Sequence, residues 1–429
     1  MFLTTKLVVG GLGYQELAAV GISGDLTFEV LVIAMGLLSI VGVLCAQAEG
    51  AGAKHQAGLA VRQGMIIALA LGTLGNLGIW NMDYVLRLTG QDPEVIALAR
   101  PYLHQISFCV LPVLFFSVLR NYVAALSRAN SVMVITLAAV GVNYVLTVWF
   151  VHGGMGITAM GVAGAGLATT LVSWLMFLAL LFYVYKTPAL RGYGLFADRW
   201  KFDATICKEI IVLGVPVAGL VVLESGLFGG ASILSGMIGA ETLAAYQVVM
   251  AWVGFAFVIG LGVAEATMVR VAHGVGEGSL NRARFSGMLG MSTGVTLLTV
   301  LVLIPVIFSD AIINLFIHET DPGYGVVSAL AAQFLVIAAI FQVFDGLQAI
   351  AARALRGIKD NIAPLWIATF GYWVMGMGGG AYLAFGTELA GAGLWWGMAA
   401  GLTITGTLLA GRFWRLTNRL IWERQFRNT

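Results

Sequence analysis

Five carboxylates fall inside stretches too apolar for ordinary soluble helices: Asp25, Glu29, Glu224, Glu265 and Asp345. A carboxylate at the middle of a bilayer costs about 3 kcal/mol even on lenient insertion scales, so such residues face polar cavities and mark ion or substrate pathways. Two lie deepest. Asp345, in Phe341-Gln-Val-Phe-Asp-Gly-Leu-Gln, stands about 12 Å of helix before Arg353, and Glu224 about 22 Å after Glu209, at ~1.5 Å per residue. A carboxylate pair facing a water-filled cavity can hold Na⁺ through its oxygens, take up a proton, or attract a cationic substrate. A hydrogen-bonded pair that only braces a bundle is the alternative. Glu224 and Asp345 are therefore the candidate cation-coupling residues and the candidate Na⁺ ligands.

The other acids rank lower. Glu265, which precedes Arg270 by five residues, is read as a possible secondary acid of the cavity, with pairing to Arg270 or snorkelling to the interface as the alternative. Glu29 lies about 20 Å of helix from Glu16, deeper than Asp25, which is within reach of the membrane surface. Aromatic residues cluster near the acids: Tyr246, Trp252 and Phe255 in one run, Phe341 and Phe344 beside Asp345, and Tyr372 in the next run. With carboxylates among them, such walls suit flat organic cations through cation–π contact; packing or lipid contact is the competing reading for each. The pair Trp395-Trp396 reads as an interfacial belt.

The elements that must position these residues follow from composition. The 429 residues are 59% hydrophobic and 10% charged, against about 25% charged in soluble domains. Runs long enough to cross a bilayer, about 20 residues, lie near 17–46, 64–82, 102–126, 131–151, 161–185, 209–236, 243–269, 287–308, 326–352, 363–385 and 392–411, with a shorter one at 1–12. Twelve runs put both termini on one side. Alternate connections and the tail hold twenty of the 23 Lys and Arg, whereas the opposite connections hold Arg87, Arg100 and acids such as Asp83, Asp92, Glu94, Asp310, Glu319 and Asp321. The basic side is cytoplasmic by the positive-inside rule.

Internal similarity divides the chain. Leu12-Gly-Tyr-Gln-Glu-Leu-Ala-Ala matches Ile238-Gly-Ala-Glu-Thr-Leu-Ala-Ala, and Gly164-Ala-Gly-Leu matches Gly391-Ala-Gly-Leu, at offsets of 226 and 227. Six runs separate the copies, so the halves share one orientation. The expected organisation is a first lobe at 1–185, a basic connection at 186–208 and a second lobe at 209–429 with a basic tail. The offset sets Met1 against Leu227, inside the seventh run, so the first helix is expected to lack its N-terminal part.

Other chemistries find little support. A net charge of +2 gives no footprint for nucleic acid. Cys45, Cys109 and Cys207 show no CxxC spacing and read as inert thiols. His55, His104, His152, His273 and His318 lie at run ends without paired metal spacing. No nucleophile has a matched base.

The chain resembles the multidrug and toxic compound extrusion (MATE) transporters, in their NorM-like branch. The residues that carry the resemblance are Gly10-Gly-Leu-Gly13 with Leu17-Ala-Ala, Ala46-Gln-Ala-Glu-Gly50-Ala-Gly52, Gly214-Val-Pro216 with Glu224, Val269-Arg-Val-Ala-His-Gly274 and Ala354-Leu-Arg-Gly-Ile-Lys-Asp360. The resemblance implies two six-helix lobes and export of organic cations against Na⁺ or H⁺ entry, with Glu224 and Asp345 matching the acids of a second-lobe Na⁺ site. Relatives commonly carry an Asp in the first helix and another four residues after an Asn in the fifth; here those positions are Thr5 and Thr147, the latter following Asn143. These departures shift the expected coupling to the second-lobe acids, with Glu29 as a possible substitute.

The expectation is thus an all-α polytopic membrane protein with about twelve transmembrane helices in two pseudo-symmetric six-helix lobes. It is expected to sit, as a monomer among membrane lipids, in the inner or plasma membrane with both termini cytoplasmic. Its expected work is alternating-access antiport of an organic cation or drug-like substrate, coupled to Na⁺ ahead of H⁺ and without a cofactor. A flippase for a lipid-linked oligosaccharide would want a basic central cavity, and a membrane-embedded enzyme a His, Ser or Cys constellation at depth; neither pattern is present.

Overall fold

The structure, a computed structural model, describes residues 2–154, 156, 158–196, 202–317 and 323–427. Of the residues named above, Met1, His318, Glu319 and Asp321 lie outside these segments. Every regular element among the described residues is a helix. The helices are apolar around most of their circumference, and large side chains such as Leu137, Phe182, Ile233, Val258 and Trp366 stand exposed on their outer faces. Water does not tolerate so wide an apolar surface; lipid does.

Nine of the twelve apolar runs form helices that pass as membrane spans by length and hydropathy, when the pair Pro93–Ser107 and Val110–Ala125, bent by 43°, is taken as one. The remaining three are helical too. Run 1–12 is the short Phe2–Val9, run 363–385 is interrupted, and run 392–411 opens a longer helix that continues into the basic tail.

The chain divides into two compact units. Unit 1 comprises 1–49 and 53–218; unit 2 comprises 50–52 and 219–429. In unit 1 the helices are α1 (Phe2–Val9), α2 (Tyr14–Leu38), α3 (Ile40–Gly50), α4 (Lys54–Trp80), α5 (Met82–Leu88), α6 (Pro93–Ser107), α7 (Val110–Ala125), α8 (Ala129–His152), α9 (Gly161–Lys186) and α10 (Pro188–Arg191). Here α8 and α6 pack on α9, α7 on α4, and α1 on α8.

The division falls within α11 (Ala204–Ile238), just after Pro216, and so later than the connection at 186–208. The reason is that the described parts of the connection are bonded to unit 1. The Tyr193 hydroxyl donates to Glu49 Oε2 at 2.6 Å, its ring meets Tyr122 edge-on, and Lys54 Nζ lies 5.7 Å from its centroid. Burial and then the Glu49 carboxylate push the Tyr193 phenol up, so its proton stays on as the donor. Asp203 starts α11 by accepting from the amides of Thr205 and Ile206, an N-cap arrangement, while Asp203 N and Cys207 Sγ both donate to Gln63 Oε1.

Unit 2 continues with α12 (Ala240–Gly276), α13 (Leu280–Ile307), α14 (Ser309–Ile313), α15 (Tyr324–Gly357), α16 (Ile362–Ala368), a π-helical segment (Thr369–Gly378), α17 (Gly379–Gly386) and α18 (Ala390–Arg427). α15 is central, packed on α12, α13 and α18. The core gathers around Trp395, which is fully buried against Tyr246, Phe334 and Phe341. That corrects the interfacial reading of Trp395; Trp396, turned about 100° around the helix, is the exposed one. The π segment and α17 lie against α18 at small residues: a Cβ on Gly401 would strike the carbonyl of Gly371 in the π segment, and one on Gly397 the backbone of Gly380 in α17.

Candidate functional site

Unit 2 brings Glu224 and Asp345 together through one side chain. Asp345 and Gln348 are one turn apart on α15, so both project from the same face, and both are almost wholly buried. Gln348 Nε2 lies 3.5 Å from Asp345 Oδ1 and 3.5 Å from Glu224 Oε1 on α11. The amide offers one hydrogen to each acid over long bonds. On its other side Gln348 Oε1 accepts a 2.7 Å bond from the Tyr372 hydroxyl, which the π segment carries into the core. Asp345 Oδ2 is buried and has no hydrogen-bond partner among the described residues. A buried carboxylate oxygen without a donor is costly unless something positive comes to it.

The surroundings are polarised along α15. Arg353 and Arg356 follow Asp345 by about two and three turns, and Arg353 Nε donates to Glu265 Oε1 at 2.9 Å. Glu265 thus meets Arg353 and not the Arg270 expected from spacing. On α12, Arg270 is five residues on and about 140° around the helix, whereas α15 packs on the face that carries Glu265.

The aromatic candidates separate. Tyr372 reaches the acids through its hydroxyl. Tyr246 and Phe341 are buried in the Trp395 core, with the Tyr246 hydroxyl donating to the Phe228 carbonyl at 3.0 Å. Phe344 is half-buried beside Asp345, Trp252 is half-buried with its Nε1 unpartnered, and Phe255 stands 59% exposed. Sequence reasoning overlooked Gln348. Its position three residues after Asp345, an amide in an apolar run, was the available signal.

In unit 1, Glu29 is half-buried, and exposed Asp25 pairs with Lys6 at 2.7 Å. The first- and fifth-helix positions named above form a neutral set: Thr4 Oγ1 donates to Asn143 Oδ1 at 2.8 Å, Thr5 and Thr169 hydroxyls lie 3.5 Å apart, and Thr147 Oγ1 is buried without a partner. Among the described residues no three His, Cys, Asp or Glu side chains gather as a metal cluster.

Two helical units, one of them with an acid pair bridged by the Gln348 amide, have counterparts among known proteins. The sequence profile MatE matches residues 1–149 and 216–381. The chain belongs to the MatE family. This MatE protein is 34% identical over 417 residues to the probable multidrug resistance protein NorM of Mesorhizobium japonicum, covering 97% of this chain and 89% of that one. It is 32% identical to the multidrug resistance protein NorM of Burkholderia vietnamiensis, covering 98% and 91%. Among solved structures it is similar to a MATE protein in the bent conformation, with TM-score 0.89 at 20% identity over 98% of this chain and 92% of that one. A eukaryotic MATE transporter, AtDTX14, superposes with TM-score 0.84 at 21% identity over 99% and 94%. The MatE protein is accordingly a multi-pass membrane transporter and not an enzyme.

Proposed function

We propose that this MatE protein is a multidrug efflux antiporter of the inner or plasma membrane, with its basic connections and both termini on the cytoplasmic face. On this reading it exports organic cations or drug-like molecules in exchange for a cation bound between Glu224 and Asp345. The observation that carries the reading is Asp345 Oδ2, a buried carboxylate oxygen with no donor among the described residues, one amide away from a second carboxylate. Two ionised acids at membrane depth repel one another, and one monovalent cation between them relieves the repulsion.

Na⁺ is favoured over H⁺. The site holds a carboxamide and a phenol besides the acids, and turning the Gln348 amide over would add a neutral oxygen to the carboxylate ligands. A cationic substrate competes for the same charge, and binding of either partner selects the state open to one side. The neutral set in unit 1 supports a single coupling site per chain.

The test is dye efflux from everted vesicles driven by a Na⁺ pulse or a pH step. Glu224→Gln and Asp345→Asn are each expected to lose at least tenfold of the driven rate. Wild-type transport by both variants would sink the assignment, and drive by the pH step alone would replace Na⁺ with H⁺.

A further inference from the structure

The basic end of α18 holds a second feature, outside the acid site. Arg412, Arg415 and Arg419 recur at helical spacing and share one face. With Leu408 and Leu416 from the same helix and Ile367 from α16 they line an open groove of about 460 Å³. Two of the arginines are neutralised in place. Arg412 Nε donates to Asp360 Oδ2 at 2.6 Å, and Arg419 Nε donates to Glu423 Oε1 at 2.7 Å. Arg415 has no partner among the described residues, so the five ionic groups leave one positive charge uncompensated at the groove.

Basic residues at a helix end are ordinary determinants of topology and alone indicate no ligand. Here the unpaired guanidinium opens onto a groove lined otherwise by Ile367, Leu408, Leu416, Gly411 and Thr407, whose hydroxyl is turned to the Thr403 carbonyl, so the ligand that fits is amphipathic, with one negative charge. A phosphodiester carries that charge and accepts the two parallel hydrogen bonds a guanidinium offers, and a hydrocarbon chain suits Ile367, Leu408 and Leu416. Trp414, next to Arg415 in sequence, is exposed, as tryptophans at headgroup level are.

We propose that this groove binds an anionic phospholipid, with the phosphodiester on Arg415 between Arg412 and Arg419 and one acyl chain along Ile367, Leu408 and Leu416.

The experiment uses the full-length protein in detergent micelles. Thermal unfolding is followed as phosphatidylglycerol, phosphatidylcholine or inorganic phosphate is titrated in, for the wild type, Arg415→Gln and Lys186→Gln as a distant basic control. Phosphatidylglycerol is expected to raise the melting temperature of the wild type saturably, and phosphatidylcholine to do so weakly or not at all. Arg415→Gln is expected to weaken the phosphatidylglycerol response about fivefold in concentration, the effect of one basic residue near a headgroup, and Lys186→Gln to leave it unchanged. Equal responses to the two lipids, an unaltered response in Arg415→Gln, or an equal loss in Lys186→Gln would each overturn the proposal. Stabilisation by inorganic phosphate at matched concentration would make the groove a free-anion site and overturn the lipid assignment.

Discussion

Gln348 stands between two like charges, and Tyr372 decides which end of the amide they meet. While the phenol donates to Oε1, the amide hydrogens point toward Glu224 and Asp345. Gln348→Leu removes the bridge and the neutral oxygen together, so the driving cation is expected to bind at least tenfold more weakly, in line with ~1.5–3 kcal/mol for hydrogen bonds to charged groups. Tyr372→Phe removes only the bond that holds the amide oxygen away from the acids, so by ~0.5–1.5 kcal/mol cation binding is expected to tighten two- to tenfold. Because Tyr372 acts through Gln348, the double variant is expected to match Gln348→Leu in cation-dependent efflux; an effect of Tyr372→Phe that persists beside Gln348→Leu would give Tyr372 a separate role. In unit 1 the Thr147 hydroxyl is buried and has no partner among the described residues, so Thr147→Val is expected to leave efflux intact and to keep or raise the stability to thermal unfolding, by up to about 1 kcal/mol. A large loss of transport would return coupling to unit 1. Glu224 and Asp345, the acids proposed to couple, stood out in the sequence because charge in an apolar run has few explanations, and the structure brings both to Gln348. Gln348 was not, since a neutral amide costs less at depth and its two partners come from α11 and the π segment, distant in sequence.

At the level of elements, the close approach of α18 to the π segment rests on glycine. Gly401→Ala drives a methyl group into the Gly371 carbonyl and is expected to cost about 1–3 kcal/mol, the usual range for overpacking. Gly254→Ala, with open space around it, is expected to stay within about 1 kcal/mol of the wild type; thermal unfolding in detergent compares them. Equal effects would mean that helix propensity and not packing governs these positions. The same helices mark how far the fold could be read in advance. Length and hydropathy located all twelve apolar runs, since a bilayer demands continuous apolar helix. The interruption of run 363–385 was hidden: Gly371, Gly376 and Gly380 read equally well as small packing residues in an unbroken span. The burial of Trp395 depends on which face of α18 meets α12 and α15, and a pair of adjacent tryptophans does not reveal that.

At the scale of the whole molecule, membrane sidedness rests on the distribution of Lys and Arg, and the protein supplies its own means of testing it. Cys45, Cys109 and Cys207 are all buried, so the wild type is expected to be nearly silent toward a membrane-impermeant maleimide. A single cysteine placed at an exposed connection then reports its own side. Arg87 and Gln91 belong to the sparsely basic set, and Arg191 and Arg282 to the densely basic set; all four are exposed in the structure. Arg87→Cys and Gln91→Cys are expected to label in intact cells, and Arg191→Cys and Arg282→Cys only in everted vesicles. Arg191 and Arg282 come from different units, and a parallel repeat would put both on one side of the membrane. Labelling of one from outside and the other from inside would therefore break the parallel-repeat reading, even if Arg87 and Gln91 behave as expected. Labelling of all four from one side would instead remove the charge argument, and with it the cytoplasmic placement of the arginines along α18.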